Sequence, residues 1–114
     1  MNINREDHGE IIVLHIDGDI AEQAVYELKE ILLDLLSKGK NNIVLDLEEV
    51  GYISSAGLGI IAAFDARAKK QDGGIKLTAV PEEILNLLET TKLIDEFNIA
   101  DTVEEALAQV SPAD

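Results

Sequence analysis

The chain has 114 residues, enough for one hydrophobic core and too few for two. Its 23 acidic and 9 basic side chains give a formal net charge of −14, which excludes the clustered cations that nucleic-acid phosphates or an anionic membrane surface demand. There is no cysteine, hence no disulfide framework, thiolate metal site or cysteine nucleophile.

A composition of 46 % hydrophobic and 28 % charged residues is that of an ordinary globular domain. No basic segment followed by an apolar stretch opens the chain, and no apolar run approaches membrane-spanning length. The expectation is a cytoplasmic protein without membrane insertion. The acidic balance keeps a small domain soluble and suits steering toward a partner with a basic face.

Met1 to Glu6 reads as a short edge strand, with Asp7-His8-Gly9 as a turn. Glu10 to Ile16 then alternates, with Ile12, Leu14 and Ile16 on one face and Ile11, Val13 and His15 on the other. Neither His8 nor His15 has a second histidine at ligand spacing, so no metal site is expected. Asp17-Gly18-Asp19-Ile20 closes the strand. Ala24, Val25, Leu28, Ile31, Leu32, Leu35 and Leu36 then recur at helical spacing, with Glu22 near the start and Lys38, Gly39 and Lys40 at the end.

Ile43-Val44-Leu45-Asp46-Leu47 is an apolar, branched run expected as a buried strand. From Leu58 through Ile61, Phe64, Asp65 and Ala68 the period is helical. Asp72-Gly73-Gly74 breaks the chain, and Ile75 to Val80 is a further strand. Pro81 suits a first helical position, followed by Glu82 and Glu83 and the stripe Ile84, Leu85, Leu87 and Leu88. Leu93-Ile94 and Phe97-Asn98-Ile99 suggest a return to the sheet. Thr102-Val103-Glu104-Glu105 is a capping box opening a last helix through Ala106, Leu107 and Val110, and Ser111 to Asp114 should fray. Strands alternating with helices give an α/β domain, a mixed sheet with helices mainly on one side.

The functional signal lies between the central strand and its helix, in Tyr52-Ile53-Ser54-Ser55-Ala56-Gly57-Leu58-Gly59. The first turn of a helix has unpartnered N–H groups and partial positive charge. Ser54 or Ser55 can therefore cap the helix, and the same place welcomes the phosphate of a phosphoserine or nucleotide. Gly57 and Gly59 permit close approach of another backbone. Enzymatic equipment is sparse: no histidine lies within the serine motif, and Gly57-Leu58-Gly59 is neither a P-loop nor a dinucleotide fingerprint. Glu48, Glu49, Ser54 and Ser55 are expected on the loop leaving the carboxyl end of a central strand, where α/β folds keep their sites.

Asp46 to Gly59, D-L-x-x-V-x-Y-I-S-S-A-G-L-G, resembles the signature of the STAS domain, shared by anti-sigma factor antagonists and sulphate-transporter tails. The element order before and after the signature extends the likeness over nearly the whole chain. The resemblance implies a single STAS-like domain over 1–110, with a small mixed four- to five-stranded sheet covered by about four helices and a tail at 111–114. It also implies phosphorylation at Ser55 by an anti-sigma factor that is itself a serine kinase. The unmodified form captures that kinase and frees a sigma factor, and a separate serine phosphatase resets the phosphorylated form. ATP or ADP stays with the partner, so this chain needs no cofactor and is not an enzyme. The implied docking surface comprises Asp19, Ser54, Ser55, Gly57, Leu58 and the exposed face of the following helix. The chain departs from the family pattern in having Ser54 where many antagonists carry Asp, and Ala21 where many carry an acid. Ser54 is accordingly a second candidate acceptor. Two alternatives stand beside this reading. One is a STAS-type structural subunit docked permanently into a transport or signalling complex, with Ser55 only a helix cap. The other is a small nucleotide-binding domain using the helix amino end.

Overall fold

The computed structural model describes residues 1–109. β1 (Asn2–His8) and β2 (Ile11–Asp17) form an antiparallel hairpin. They are followed by α1 (Gln23–Ser37), β3 (Asn42–Glu49), α2 (Ser55–Lys69) and β4 (Gly74–Thr78). Next come α3 (Glu82–Thr90), a 3-10 turn (Ile94–Glu96), β5 (Asn98–Ala100) and α4 (Val103–Gln109). The sheet has five strands in the order β1-β2-β3-β4-β5, with every pair after the hairpin parallel.

That order determines where the helices go. Each crossover advances one strand in the same direction, and right-handed crossovers then place α1, α2 and α3 on one face. Ile12, Leu14, Leu45 and Leu77 from that face pack with Leu28 and Leu32 of α1, Ile61 of α2 and Leu88 of α3. α4 follows the last strand and covers the other face, where Ala106 meets Ile11, Val13, Val44 and Ala100. The alternation read along β2 is therefore real, but both of its faces are buried as far as Leu14.

Several boundaries differ from the sequence reading, each for a local reason. The hairpin turn is Gly9–Glu10 and not Asp7-His8-Gly9, because the ladder continues to the pair His8–Ile11. Gly9, at φ +65°, supplies the positive dihedral that a two-residue hairpin turn requires. Pro81 is the N-cap of α3, not its first helical residue; its ψ of 150° is extended, and its carbonyl accepts from Ile84 and Leu85. β4 stops at Thr78 because Ala79, at φ +51°, turns out of the sheet and donates to the Asp101 carbonyl. Leu93 and Ile94 lie at the 3-10 turn, so the last strand is only Asn98–Ala100. The predicted fraying at Ser111–Asp114 lies outside the described residues.

Asp65 ties α2 to the sheet. It is 2 % exposed, accepts the Ile75 N–H at 2.8 Å and pairs with Lys69 at 2.9 Å. Asp65→Ala leaves a buried strand N–H without its charged acceptor and should cost about 2–3 kcal/mol in denaturant unfolding.

Candidate functional site

Two loops meet at the carboxyl ends of β2 and β3. The Ile20 N–H donates to the Tyr52 carbonyl at 2.8 Å, and the Ser54 N–H donates to the Ile20 carbonyl at 3.0 Å. Together they form an isolated parallel bridge between Ile20 and Ile53, whose side chains are 0 % and 1 % exposed. Farther back, the Gly18 N–H bonds the Glu49 carbonyl. Asp19 is thereby brought over the second loop, where a Cβ on Gly51 would lie 3.2 Å from its Oδ1.

The bridge delivers the chain to the start of α2. Ser54, at φ −75° and ψ 165°, is the N-cap, and its Oγ accepts the Gly57 N–H at 3.1 Å. The capping role thus falls to Ser54 and not to Ser55, correcting the alternative in which Ser55 served only as a cap. Ser55 is the first residue of the helix and is exposed, whereas Ser54 is half-buried. The first turn of α2 contains no acidic residue to neutralise its positive end.

The glycines divide their work. A Cβ on Gly57 would stand 3.0 Å from methyl groups of both Ile20 and Ile53, so its bare backbone lets α2 seat against the bridge. A Cβ on Gly59 would meet nothing within 4 Å, and Gly59 lies open on the surface instead of packing under another segment. Gly57 and Leu58 are buried, Leu58 at 3 % exposure. They support the surface from beneath; what faces outward is Tyr52, Ser55, Ala56 and Gly59. Tyr52 is 53 % exposed. Asp17, Asp19, Glu22, Glu48 and Glu49 surround this end of the sheet and are all exposed.

Sequence reasoning missed a polar cluster next to the site. His15 Nδ1 lies 2.6 Å from Asp46 Oδ2 on β3, and His15 Nε2 lies 2.5 Å from Glu6 Oε1 on β1. Glu6 and then Asp46 hold the imidazole above its ordinary pKa, and His15 in turn holds the Glu6 carboxyl below its own. The available signal was that His15 and Asp46 occupy polar positions on otherwise apolar strands, but nothing in the sequence gives their register. Among the described residues, no group of three His, Cys, Asp or Glu is arranged to hold a metal ion, and no helix is long and apolar enough to cross a membrane.

A five-stranded mixed sheet whose strand ends are sewn together by two bridged loops, with a serine displayed at a helix start, defines a small α/β domain. The family model of the STAS domain matches residues 2–106, and the chain belongs to that family. The anti-sigma-B factor antagonist of Bacillus subtilis is 29 % identical over 100 residues, covering 88 % of this chain and 91 % of the relative. A crystal structure of an anti-sigma factor antagonist from Mycobacterium paratuberculosis superposes with a TM-score of 0.84 at 25 % identity, covering 96 % of this chain and 92 % of the other. The Bacillus cell fate determinant SpoIIAA in its phosphorylated form shares the fold, with a TM-score of 0.75 at 19 % identity over 96 % of this chain and 100 % of the other.

The two serines should separate in thermal unfolding. Ser54→Ala loses the cap and should cost about 1 kcal/mol, while Ser55→Ala should stay within about 0.5 kcal/mol of the parent. Glu22, the N-cap of α1, sits at φ 54° and ψ −121°, a conformation suited to glycine, and makes no side-chain cap bond. Relieving that strain in Glu22→Gly should stabilise the fold by about 1 kcal/mol, read as a rise in Tm.

Proposed function

We propose that this chain is an anti-sigma factor antagonist: unmodified, it captures a cognate anti-sigma factor with serine kinase activity and so frees a sigma factor. Phosphorylation at Ser55 switches it off, and a serine phosphatase restores it. The observation that carries this reading is the division between the serines. Ser54 Oγ is engaged as the cap, leaving Ser55 as the exposed hydroxyl on the first turn of α2. The names of the relatives support the antagonist role, and SpoIIAA supplies a case of the same fold in a phosphorylated form.

The chemistry asks little of this chain. Ser55 Oγ attacks the γ-phosphorus of ATP held by the partner, the bond from that phosphorus to the β–γ bridging oxygen breaks, and ADP leaves. The hydroxyl proton passes to a base of the partner. The phosphoserine adds about −1.5 to −2 charges at the amino end of α2, where free N–H groups and the helix dipole favour an anion. The fold therefore survives, and the effect falls on docking: bulk and negative charge appear in the middle of the outward face of Tyr52, Ser55 and Gly59. The exposed acids around it suit a basic partner surface. Asp19, held over Gly51, belongs to that surface, while Gly57 and Leu58 shape it from below.

Ser55→Ala should bind the kinase constitutively. Ser55→Asp should bind more weakly by about 3 kcal/mol, more than 100-fold, in calorimetric titration with a nonhydrolysable ATP analogue present. Equal affinities of the two variants would remove the switch and favour a permanently docked structural subunit. Intact mass and phosphate mapping after expression in the native host should find the phosphate on Ser55; a phosphate on Ser54 would move the acceptor.

A further inference from the structure

The register of β2 against β3 contains a discontinuity beside the site. His15 pairs with Asp46, but Asp17 pairs with Glu49, so β3 spends one residue more than β2 between these pairs. Such a bulge bends a strand and releases a backbone group from the ladder. Here the Asp46 side chain takes up the irregularity: its Oδ1 accepts the Glu48 N–H at 3.1 Å. Its other oxygen, Oδ2, faces His15 Nδ1, and the far side of the ring faces Glu6. One side chain thus joins the edge strand, its neighbour and the bulge from which the chain leaves for Tyr52, Ser54 and Ser55.

A carboxylate can only accept, so a ring held between two carboxylates must donate from both nitrogens and carries a full positive charge. We propose that His15 is a positioning residue for the Ser55 loop, acting as a doubly protonated clamp between Glu6 and Asp46 that holds the β3 bulge and makes the loop sensitive to rising pH. That the loop's conformation governs docking rests on the function proposed above; the clamp itself does not.

The surroundings favour the charged ring. β1 contributes Glu6 and His8, whose Nε2 lies 4.0 Å from Glu6 Oε1. β2 adds exposed Asp17 beyond the ring, and β3 adds Asp46 and Glu48. Asp101 and Glu104, before and within α4, line the same cleft of about 540 Å³. Among the described residues lining it, His8 is the only other group able to carry positive charge. Losing the His15 proton leaves one nitrogen without a hydrogen to donate, and either Glu6 or Asp46 loses its bond.

The direction of the pH effect follows from the two shifts. His15 is raised in the fold, so its contribution is complete below the ordinary imidazole value of 6.5 and is lost as pH rises through the folded value. Glu6 is lowered, so its contribution is present above the ordinary 4.5 and is lost as pH falls through the folded value. The clamp is whole between the ordinary carboxyl and imidazole values of 4.5 and 6.5, and it opens as pH rises above 6.5 through the folded value of His15.

The test is a titration of the isotopically labelled chain by NMR from pH 6 to 10, following the His15 ring nitrogens and the backbone amides. The His15 midpoint should lie above the ordinary 6.5, with both ring nitrogens protonated below it. The amides of Glu48, Tyr52, Ser54 and Ser55 should shift with the midpoint of His15, and His15→Gln should abolish that dependence. A His15 midpoint no higher than 6.5, or loop amides that stay flat while His15 titrates, would overturn the clamp. Should His15→Gln fail to fold, the parent titration decides alone. No partner is needed, so equal binding by the Ser55 variants would defeat the docking switch and leave this result standing, while flat amides beside a working Ser55 switch would defeat only the clamp.

Discussion

The bridge between Ile20 and Ile53 is the constraint on which the site depends. Backbone groups in the two loops that leave β2 and β3 would otherwise be unpaired, and pairing them to each other adds one isolated bridge beyond the strand ends. The buried isoleucines make that pairing costly to undo, since opening it exposes apolar surface and strands backbone donors together. Gly57 completes the arrangement by bringing α2 against both isoleucines, where an added Cβ would sit 3.0 Å from each and force them to shift. Ser54 and Ser55 consequently have distinct environments although they are neighbours in sequence.

The same bridge explains why the site has a rigid floor and an open surface. Leu58 and Gly57 point into the core, while Tyr52, Ser55 and Gly59 are carried outward on the same short stretch. In the proposed function a partner meets a preformed shape, and a phosphate on Ser55 would change charge and bulk there without disturbing packing. In the proposed reading this chain supplies an acceptor hydroxyl and a shape, and its partner supplies the catalytic groups.

The acidic side chains serve two different purposes. Most are exposed, as expected of a solvated surface with net charge −14. Asp65 and Asp46 instead accept backbone N–H groups, Asp65 at the start of β4 and Asp46 within the β3 bulge, and each also has a basic partner, Lys69 and His15. Each secures a place where the sheet's own ladder does not satisfy the chain. Composition cannot distinguish these two acids from the surface ones, because the difference lies in what surrounds them.

Periodicity and punctuation were sufficient for the α/β class, the mixed sheet and the order of its elements. Alternation along Glu10–Ile16, the leucine stripe of α1 and the Ser-Ser-x-Gly junction are local properties that a linear reading can see. They also placed the serines at the start of a helix. What they left open was which serine caps, and that is settled by the phase at which α2 begins, which the Ile20–Ile53 bridge imposes from another loop. The burial of Gly57 and Leu58, the openness of Gly59 and the position of Asp19 over Gly51 have the same origin. So has the His15–Asp46 contact, made across 31 residues between strands whose register, bulge included, only the assembled sheet defines. Sequence alone determined what each segment becomes, because that depends on neighbours along the chain; tertiary structure decided which side chains share a site, because that depends on neighbours across it.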